Sequence, residues 1–442
     1  MKDKQISALI TKEIKRQKEG IELIPSENYA STEVRSVLSS YLVNKYSEGY
    51  PKKRYYGGNE NADEVEILAQ ERAKKLFKVP FANVQPYSGS PANFAVYLAT
   101  CKPGDTVMGQ ALIAGGHLTH GHIVSATGIF YKAVQYGLKK NSSGKSEDLF
   151  DYKEIRRLAL EHKPKLIWVG ATAYPLKFHY ERFAEIADEV GAYLAADIAH
   201  VAGLIVGGAH PSPVPHVHIV TTTTHKTLRG PRGAMIMVTE KGIKKDVDLA
   251  SKIDKAIFPG LQGGPHDNQT AAIAVALHEA AQSSFKKYAH QIVKNSQALA
   301  QVLTKGGLTL VGGGSENHLL LVDLTPTMGP GAGVFVQKAL DVVGLTLNKN
   351  TVPEELSSPY YPSGVRLGTP ASTTRGMKEK EMKFIGAMIL KVVDEVKAYR
   401  LPKEKLEKGA YIKQFLVDLQ KNKKLKVLRG QIKRMAVKYK IP

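Results

Sequence analysis

Residues 221–233 read TTTTHKTLRGPRG, and the fold can be worked out from this stretch. An apolar run at 217–220, interrupted only by His218, leads through four threonines to a single lysine, Lys226. The glycines and proline beyond it predict a sharp turn before the next apolar run, 234–238. A lysine at the end of a buried strand is costly to keep charged, so its pKa is expected to fall. Lys226 is therefore either a nucleophilic amine or an ordinary loop lysine whose stem covers apolar surface.

A second apolar run, YLAADIAH at residues 193–200, places Asp197 at a strand end 29 residues before Lys226. Lysine amines form Schiff bases with carbonyl compounds and with pyridoxal phosphate, and a carboxylate against the pyridine nitrogen keeps that ring protonated. The two strand ends supply both groups. The pattern therefore predicts a pyridoxal phosphate site.

These two segments closely resemble the serine hydroxymethyltransferase family, and the resemblance runs from residue 23 to about residue 376. It implies an α/β, aspartate-aminotransferase-like fold of the pyridoxal-phosphate-dependent transferases. That fold has a mostly parallel central sheet with helices on both faces and a smaller C-terminal α/β domain. By this resemblance we expect an N-terminal arm over 1–24, a large cofactor-binding domain over 25–270, and a small domain with a basic helical tail over 271–442.

The activity that the resemblance implies is reversible transfer of the serine hydroxymethyl carbon to tetrahydrofolate, which gives glycine and 5,10-methylenetetrahydrofolate. It implies pyridoxal 5'-phosphate as cofactor and a homodimer with shared active sites, or a dimer of such dimers. Two alternatives stay open. One is a folate-independent aldolase for threonine or other β-hydroxy amino acids, and the other is an added RNA- or polyanion-binding activity of the basic C-terminus.

The resemblance also assigns the cofactor site. Lys226 holds the cofactor, Asp197 faces its ring nitrogen, His117 stacks on the ring, and His225 serves exchange and geometry. The other cofactor-binding residues that it implies are His200, Ser88, Gly89, Ser90, Thr172 and Thr223, with Tyr46, Gly263 and Gly264 reaching the site of the neighbouring subunit. From the residues alone, Ser90 is a candidate N-cap and Pro91 the first residue of a helix, whose free N–H groups suit a phosphate.

Residues 46–58, YSEGYPKKRYYGG, form a second signature. Four tyrosines, one acid and paired glycines favour a loop that presents hydroxyls and a carboxylate into a site, although a surface loop rich in tyrosine is the alternative. Transfer of a hydroxymethyl group requires protons to be moved. The resemblance gives that role to Glu48 and a substrate contact to Tyr56, while Lys52 stands where the family usually has glycine.

Arg366, between two glycines in GVRLGTP (364–370), is suited to grip an amino-acid carboxylate through two parallel hydrogen bonds. By resemblance it is the carboxylate clamp, and Ser26 lies near the same carboxylate. The residues that the resemblance places at the folate are Leu112, Gly116, Leu118, Asn350, Ser358, Pro359 and Tyr360. The stretch HDNQ (266–269) departs from the commoner family pattern.

Residues 115–122, GGHLTHGH, contain three histidines within six positions, a spacing that also suits metal ligands. No cysteine or acid joins them nearby in the sequence. We therefore favour the cofactor-stacking role for His117 and predict no metal.

Composition narrows the protein class. The chain has 442 residues, a net charge of +21, one cysteine and no uninterrupted apolar run of 18 residues, so we expect a cytoplasmic protein without membrane spans.

The positive charge is concentrated at the C-terminus, where residues 401–442 hold 13 Lys and Arg against 3 Asp and Glu. Within them an apolar stripe predicts a helix packed on one side with a solvated basic face, the alternative being the polyanion-binding tail. The stripe comprises Leu425, Leu428, Ile432, Met435 and Tyr439.

Short apolar and helical runs alternate over 105–240, which predicts a mostly parallel sheet covered on both faces. The expected strands are 106–108, 165–170, 193–197, 217–222 and 234–238, and the helices 152–162 and 180–190. Outside this region we expect a helix over 1–20, a long helical pattern over 268–305, strands at 318–324 and 365–367, and helices at 332–343 and 379–399. Ligands of such sheets bind beyond the carboxyl ends of the strands. Thr172, Asp197, His200 and Lys226 all fall there.

Overall fold

The structure is a computed structural model that describes residues 2–139 and 148–442. Its strands are β1 (Ile21–Glu22), β2 (Gly49–Tyr50), β3 (Lys53–Arg54), β4 (Phe81–Asn83), β5 (Thr106–Gln110), β6 (Lys132–Tyr136), β7 (Leu166–Val169), β8 (Tyr193–Asp197), β9 (Ile219–Thr223), β10 (Ala234–Val238), β11 (Thr309–Leu310), β12 (Leu319–Asp323), β13 (Leu345–Thr346), β14 (Asn348–Asn350) and β15 (Gly364–Gly368).

The α-helices are α1 (Lys4–Glu19), α2 (Thr32–Leu38), α3 (Glu60–Phe77), α4 (Gly89–Thr100), α5 (Ala126–Phe130), α6 (Tyr152–His162), α7 (Tyr180–Glu189), α8 (Ala202–Val206), α9 (Glu240–Lys245), α10 (Leu249–Ile257), α11 (Asp267–Ala280), α12 (Ser283–Lys305), α13 (Thr325–Met328), α14 (Gly333–Val343), α15 (Pro370–Thr374), α16 (Glu379–Val396), α17 (Lys405–Lys421) and α18 (Lys423–Ala436). Short 3-10 helices cover Tyr41–Asn44 and Leu112–Ala114.

A seven-stranded sheet in the order β4-β10-β9-β8-β7-β5-β6 forms the centre of the molecule. The strands from β5 to β9 pair in parallel, and β10 runs antiparallel to both of its neighbours. Every residue of β7, β9 and β10 is buried, because helices cover both faces of the sheet. The predicted mostly parallel sheet is confirmed, and β8 and β10 have the bounds expected from the sequence.

A second sheet, in the order β11-β12-β15-β14, is antiparallel and packs against its own core. The apolar stripe of α18 is part of that core, with Leu425, Leu428 and Ile432 buried. The interpretation of the C-terminal pattern as a packed helix is therefore confirmed. The proposed domain boundaries at residues 24 and 270 stay a prediction.

Two helical expectations differ from the structure in detail. The pattern over 268–305 is two helices, α11 and α12, because the chain leaves helical geometry at Gln282, which has an extended ψ of 152°. The N-terminal helix α1 forms as expected, with the side chain of Asp3 accepting from two backbone N–H groups, but its apolar residues Ile6, Leu9 and Ile14 are exposed. Across the described ranges, no helix combines the length and the apolar character that a membrane span requires.

Candidate active site

The carboxyl ends of β8 and β9 lie side by side at the middle of the large sheet. Asp197, the last residue of β8, is in register with Thr221 of β9, and Lys226 follows β9 by three residues. Together they open into a small cavity. Its lining residues are Gly89, Asn93, His117, His120, Ala171, Thr172, Asp197, Ala199, His200, Thr221, Thr222, Thr223 and Lys226. The structure thus brings together seven of the residues predicted to bind the cofactor.

The Asp197 carboxylate is held by three donors. His120 Nε2 lies 3.2 Å and Asn93 Nδ2 lies 2.8 Å from Oδ2, while the Ala199 N–H donates to Oδ1 at 3.0 Å. Burial alone would raise the pKa of Asp197, but the hydrogen bond with His120 and the nearby Lys226 ammonium hold it well below its usual range. Asp197 is therefore a buried anion, able to pair with a cationic group in the cavity.

Asn93 and His120 are two further cavity residues, in contact with Asp197, that the sequence analysis did not identify. Asn93 on α4 donates to Asp197, and its Oδ1 accepts from Thr221 Oγ1 at 2.7 Å, so it joins three elements. The His120 ring stacks on Trp168 at 5.2 Å with an interplanar angle of 10°. For Asn93, the signal in the sequence was a polar residue within the otherwise apolar run of α4. For His120, the signal was its place in the same motif as His117.

Burial lowers the pKa of Lys226 to about 8, and Arg366 and Arg232 act in the same direction against the opposing charge of Asp197. The side chain of Asn28 donates to the Lys226 carbonyl at 2.9 Å, which fixes the backbone of the turn. An amine with this pKa has a substantial neutral fraction at physiological pH. That is the property required for attack on an aldehyde.

Three histidines in or near the cavity have lowered pKa values. Burial lowers the pKa of His117 to about 4 and that of His225 to about 3, and it also lowers that of His200. His200 Nδ1 lies 3.2 Å from His318 Nε2. His225 is not among the cavity-lining residues, so no direct contact with the cavity supports its predicted role in exchange.

His117, His120 and Asp197 each place one ligand atom within 4.8 Å of the others. The histidine-rich segment 115–122 has no acid nearby in the sequence, but β8 supplies one in Asp197. The three side chains together could therefore also hold a cation. The three donors on Asp197 already define an arrangement that suits a protonated pyridine, and we keep the cofactor interpretation.

The first turn of α4 and the end of β9 suit a phosphate. Thr223 Oγ1 is buried without a hydrogen-bond partner among the described residues, and a Cβ added at Gly89 would lie 2.9 Å from Thr223 Cγ2. Free N–H groups of a helix start attract anions. The predicted cap was wrong by two residues, because α4 starts at Gly89, so that Ser88 is the N-cap residue and Ser90 and Pro91 lie inside the helix.

Arg366 lies beside the cavity wall. Its Nη1 donates to the Thr172 carbonyl at 2.6 Å and its Nε to Asn348 Oδ1 at 3.1 Å. Burial lowers the pKa of this guanidinium to about 10, so it stays charged at neutral pH. Ser26 sits in the turn that packs Pro25 against Gly368, two residues beyond Arg366.

The predicted folate residues lie in two neighbouring places. Gly116 accepts from Thr172 Oγ1 at 3.2 Å, and Thr351 Oγ1 donates to the Ile113 carbonyl at 3.2 Å. These bonds bring the segment of Asn350 beside the 3-10 helix that contains Leu112, and the bridge between Ser358 and Tyr361 closes the turn with Pro359 and Tyr360. Leu118 lies apart with Ser90, in a mainly apolar groove of about 910 Å³.

The remaining predicted residues form a separate cluster that does not line the cavity. The rings of Tyr46 and Tyr56 meet edge to face at 5.2 Å. Glu48 Oε1 would lie 3.0 Å from a Cβ at Gly263, and the Tyr46 ring 3.2 Å from one at Gly264. A side chain at position 263 or 264 would press on Glu48 or on Tyr46, so the glycines give these two residues room.

A doubly wound sheet with a lysine and a carboxylate at adjacent strand ends defines the class of the protein, a pyridoxal-phosphate-dependent transferase of fold type I. The family model described as serine hydroxymethyltransferase matches residues 1–389, and the chain belongs to this family.

Two curated relatives are named serine hydroxymethyltransferase. The chain is 55% identical to the one from Acidothermus cellulolyticus over 394 residues, which is 89% of each chain. It is 53% identical to the one from Desulfotalea psychrophila over 392 residues, again 89% of each. The family and these names favour the folate-dependent transferase over the folate-independent aldolase and over a polyanion-binding protein.

Proposed function

We propose that the protein transfers the hydroxymethyl carbon of serine reversibly to tetrahydrofolate, giving glycine, 5,10-methylenetetrahydrofolate and water. The observation that carries the proposal is the pairing of Lys226 with Asp197 in one cavity beside Arg366. When bound, pyridoxal phosphate supplies an electron sink for the pair left on the substrate α-carbon.

The residues that would hold the cofactor fit its chemistry. Lys226 would be the attachment point, the Asp197 carboxylate would pair with the ring nitrogen, and His117 would lie against the ring. The orphaned Thr223 hydroxyl and the first turn of α4 from Gly89 would take the phosphate.

Arg366 orients the substrate through its carboxylate. Its Nε and Nη1 are already committed to Asn348 and Thr172, and Nη2 has no hydrogen-bond partner among the described residues. The two existing bonds therefore fix the plane of the guanidinium before substrate arrives. A fixed guanidinium would hold the amino acid in one orientation for the bond to be broken.

Glu48 moves the proton of the serine hydroxyl. Because Glu48, Tyr46, Tyr56, Gly263 and Gly264 do not line the cavity of their own chain, we propose that they complete the cavity of a second copy in a homodimer. The folate would lie between Leu112 and Gly116 on one side and the segment from Asn350 to Tyr360 on the other. With a single cysteine in the chain, we place this enzyme in the reducing cytoplasm.

The test separates cofactor attachment from activity. The wild-type protein, loaded with pyridoxal phosphate and reduced with borohydride, should yield a peptide modified at Lys226 in mass spectrometry, and the Lys226→Ala variant should not. Serine cleavage by the wild type should depend on added tetrahydrofolate. A fully active Lys226→Ala variant, or serine cleavage that ignores folate, would overturn the proposal.

A further inference from the structure

The loop that carries Glu48 is anchored from the start of α11. Ser47, between Tyr46 and Glu48, donates through Oγ to Asp267 Oδ1 at 2.6 Å. Both side chains are buried, Ser47 completely and Asp267 to all but 4%. Asp267 is the first residue of α11, where a carboxylate is favoured by the helix dipole. A rigid helix thus holds the residue next to the candidate acid.

The backbone of Ser47 is held from the opposite side. Arg54 donates from Nη1 to the carbonyls of Ser47 and Gly49, at 2.8 Å each, and its guanidinium is paired with Asp63 and Glu66. The Arg54 contacts fix the path of the main chain. Among the described residues, the bond to Asp267 is the one that fixes the Ser47 side chain.

The helix dipole and the Ser47 hydrogen bond compensate only part of the cost of burying the Asp267 carboxylate. Its second oxygen, Oδ2, is buried without a partner among the described residues, and a buried carboxylate oxygen that lacks a donor costs free energy. Burial accordingly raises the pKa of Asp267, with the Ser47 hydrogen bond acting against that shift. A costly group held at a loop of predicted function indicates a role in that function.

The residues on either side of Asp267 act on the same region. The His266 ring stacks on the Tyr87 ring at 4.2 Å and 7°, and the Tyr87 hydroxyl donates to the Gly264 carbonyl at 2.6 Å. Asn268 Nδ2 donates to the Leu38 carbonyl at 2.8 Å. The segment 266–268, where the sequence departs from the commoner family pattern, therefore anchors both the Glu48 loop and the glycine loop.

We propose that Asp267 is a positioning residue, which sets Glu48 at the hydroxymethyl group of serine by holding Ser47. The proposal rests on the function proposed above, because it requires Glu48 to act on that group. Asp267 itself touches neither substrate nor cofactor. Its removal should therefore slow the step that uses Glu48 and spare the steps that use Lys226, Asp197 and Arg366.

Two reactions of the same loaded enzyme separate these steps. Folate-dependent serine cleavage requires Glu48, whereas exchange of the glycine α-proton with deuterated water involves no hydroxymethyl group. Asp267→Ala should lower kcat for serine about 10- to 100-fold, as expected for a displaced catalytic group, and change glycine exchange by less than about 2-fold. Asp267→Asn keeps an acceptor at Oδ1 and should restore most of kcat. Ser47→Ala, which removes the same bond from the other side, should reproduce the Asp267→Ala result.

A double-mutant cycle completes the test, with Glu48→Gln as the second change. If Asp267 acts through Glu48, the double variant should be no slower than Glu48→Gln alone. Asp151→Ala is a matched control, because Asp151 caps α6, which packs on α7 and β6, and does not line the cavity. It should cost stability without selective loss of serine cleavage.

Two results would overturn the positioning role: equal losses in serine cleavage and glycine exchange, or additive losses in the double variant. Ser47→Ala keeps the test decisive even if Asp267→Ala does not fold. A wild-type enzyme that exchanges glycine but cleaves no serine would instead overturn the proposed function, so the two failures can be told apart.

Discussion

The amine of Lys226 attacks the aldehyde of pyridoxal phosphate only when it is neutral, so cofactor uptake by the apoenzyme should follow the titration of this residue. Burial lowers its pKa from 10.5 to about 8. A lowered pKa for a base means that the neutral form persists to lower pH. The uptake rate should therefore rise with pH and level off above about pH 8.

The size of the effect follows from these two values. At pH 7, a lysine of pKa about 8 is about 9% neutral, whereas one of pKa 10.5 is about 0.03% neutral. The cavity should therefore increase the reactive fraction at pH 7 by about 300-fold. Arg366 and Arg232 contribute to this shift, and Asp197 opposes it.

The assay is stopped-flow absorbance of apoenzyme mixed with excess pyridoxal phosphate between pH 6 and 10. An N-acetylated lysine amide in place of the protein corrects for titration of the cofactor itself. Arg232→Gln should move the midpoint to higher pH, because it removes a nearby positive charge. A corrected midpoint near 10 in the wild type would refute the inference that Lys226 is reactive because it is buried.

Three further predictions concern single side chains. Arg366→Lys should raise KM for serine about 10- to 100-fold with a smaller change in kcat, as measured by steady-state kinetics. The reason is that the variant loses a charge-assisted hydrogen bond of about 1.5–3 kcal/mol to the substrate carboxylate. Asp197→Asn should lower kcat more than about 100-fold while mass spectrometry still finds cofactor on Lys226 after borohydride reduction, because the ring nitrogen loses its anionic partner. Lys52 has a positive φ of 64°, so Lys52→Gly should raise the free energy of unfolding by about 0.5–1 kcal/mol, seen as a higher midpoint in urea. An unchanged KM would contradict the first prediction, an unchanged kcat the second, and a lower urea midpoint the third.

The sheet and the convergence of Asp197 with Lys226 could be predicted from the sequence because both depend on local patterns. A strand buried on both faces is a continuous apolar run, as at 166–169 and 234–238, and its end is visible as the first polar residue. Asp197 and the segment of Lys226 lie at such ends. Since the carboxyl ends of parallel neighbours meet at one edge, the two side chains had to converge if their strands paired, and β8 and β9 do pair.

The side-chain contacts that hold Asp197 and the Glu48 loop in place could not be predicted in this way, because each contact joins two residues that are far apart in the sequence. Asn93 and Asp197 are separated by 104 positions, and Ser47 and Asp267 by 220. Neither pair leaves a periodic signal, since each residue taken alone is an ordinary polar residue in a helix or loop. Only the packing of α4 on β8, and of the Glu48 loop on α11, makes them partners.

The extent of α4 shows how such packing overrides a local rule. Ser90 followed by Pro91 is a strong start signal, since serine caps helices and proline fits the first position. The helix nevertheless begins at Gly89, two residues before that proline. A glycine at this point lets the chain pass against Thr223, where a Cβ would come within 2.9 Å of a methyl group. The contact between α4 and the end of β9, where we propose that the phosphate binds, therefore fixes the start of the helix more strongly than its capping residues do.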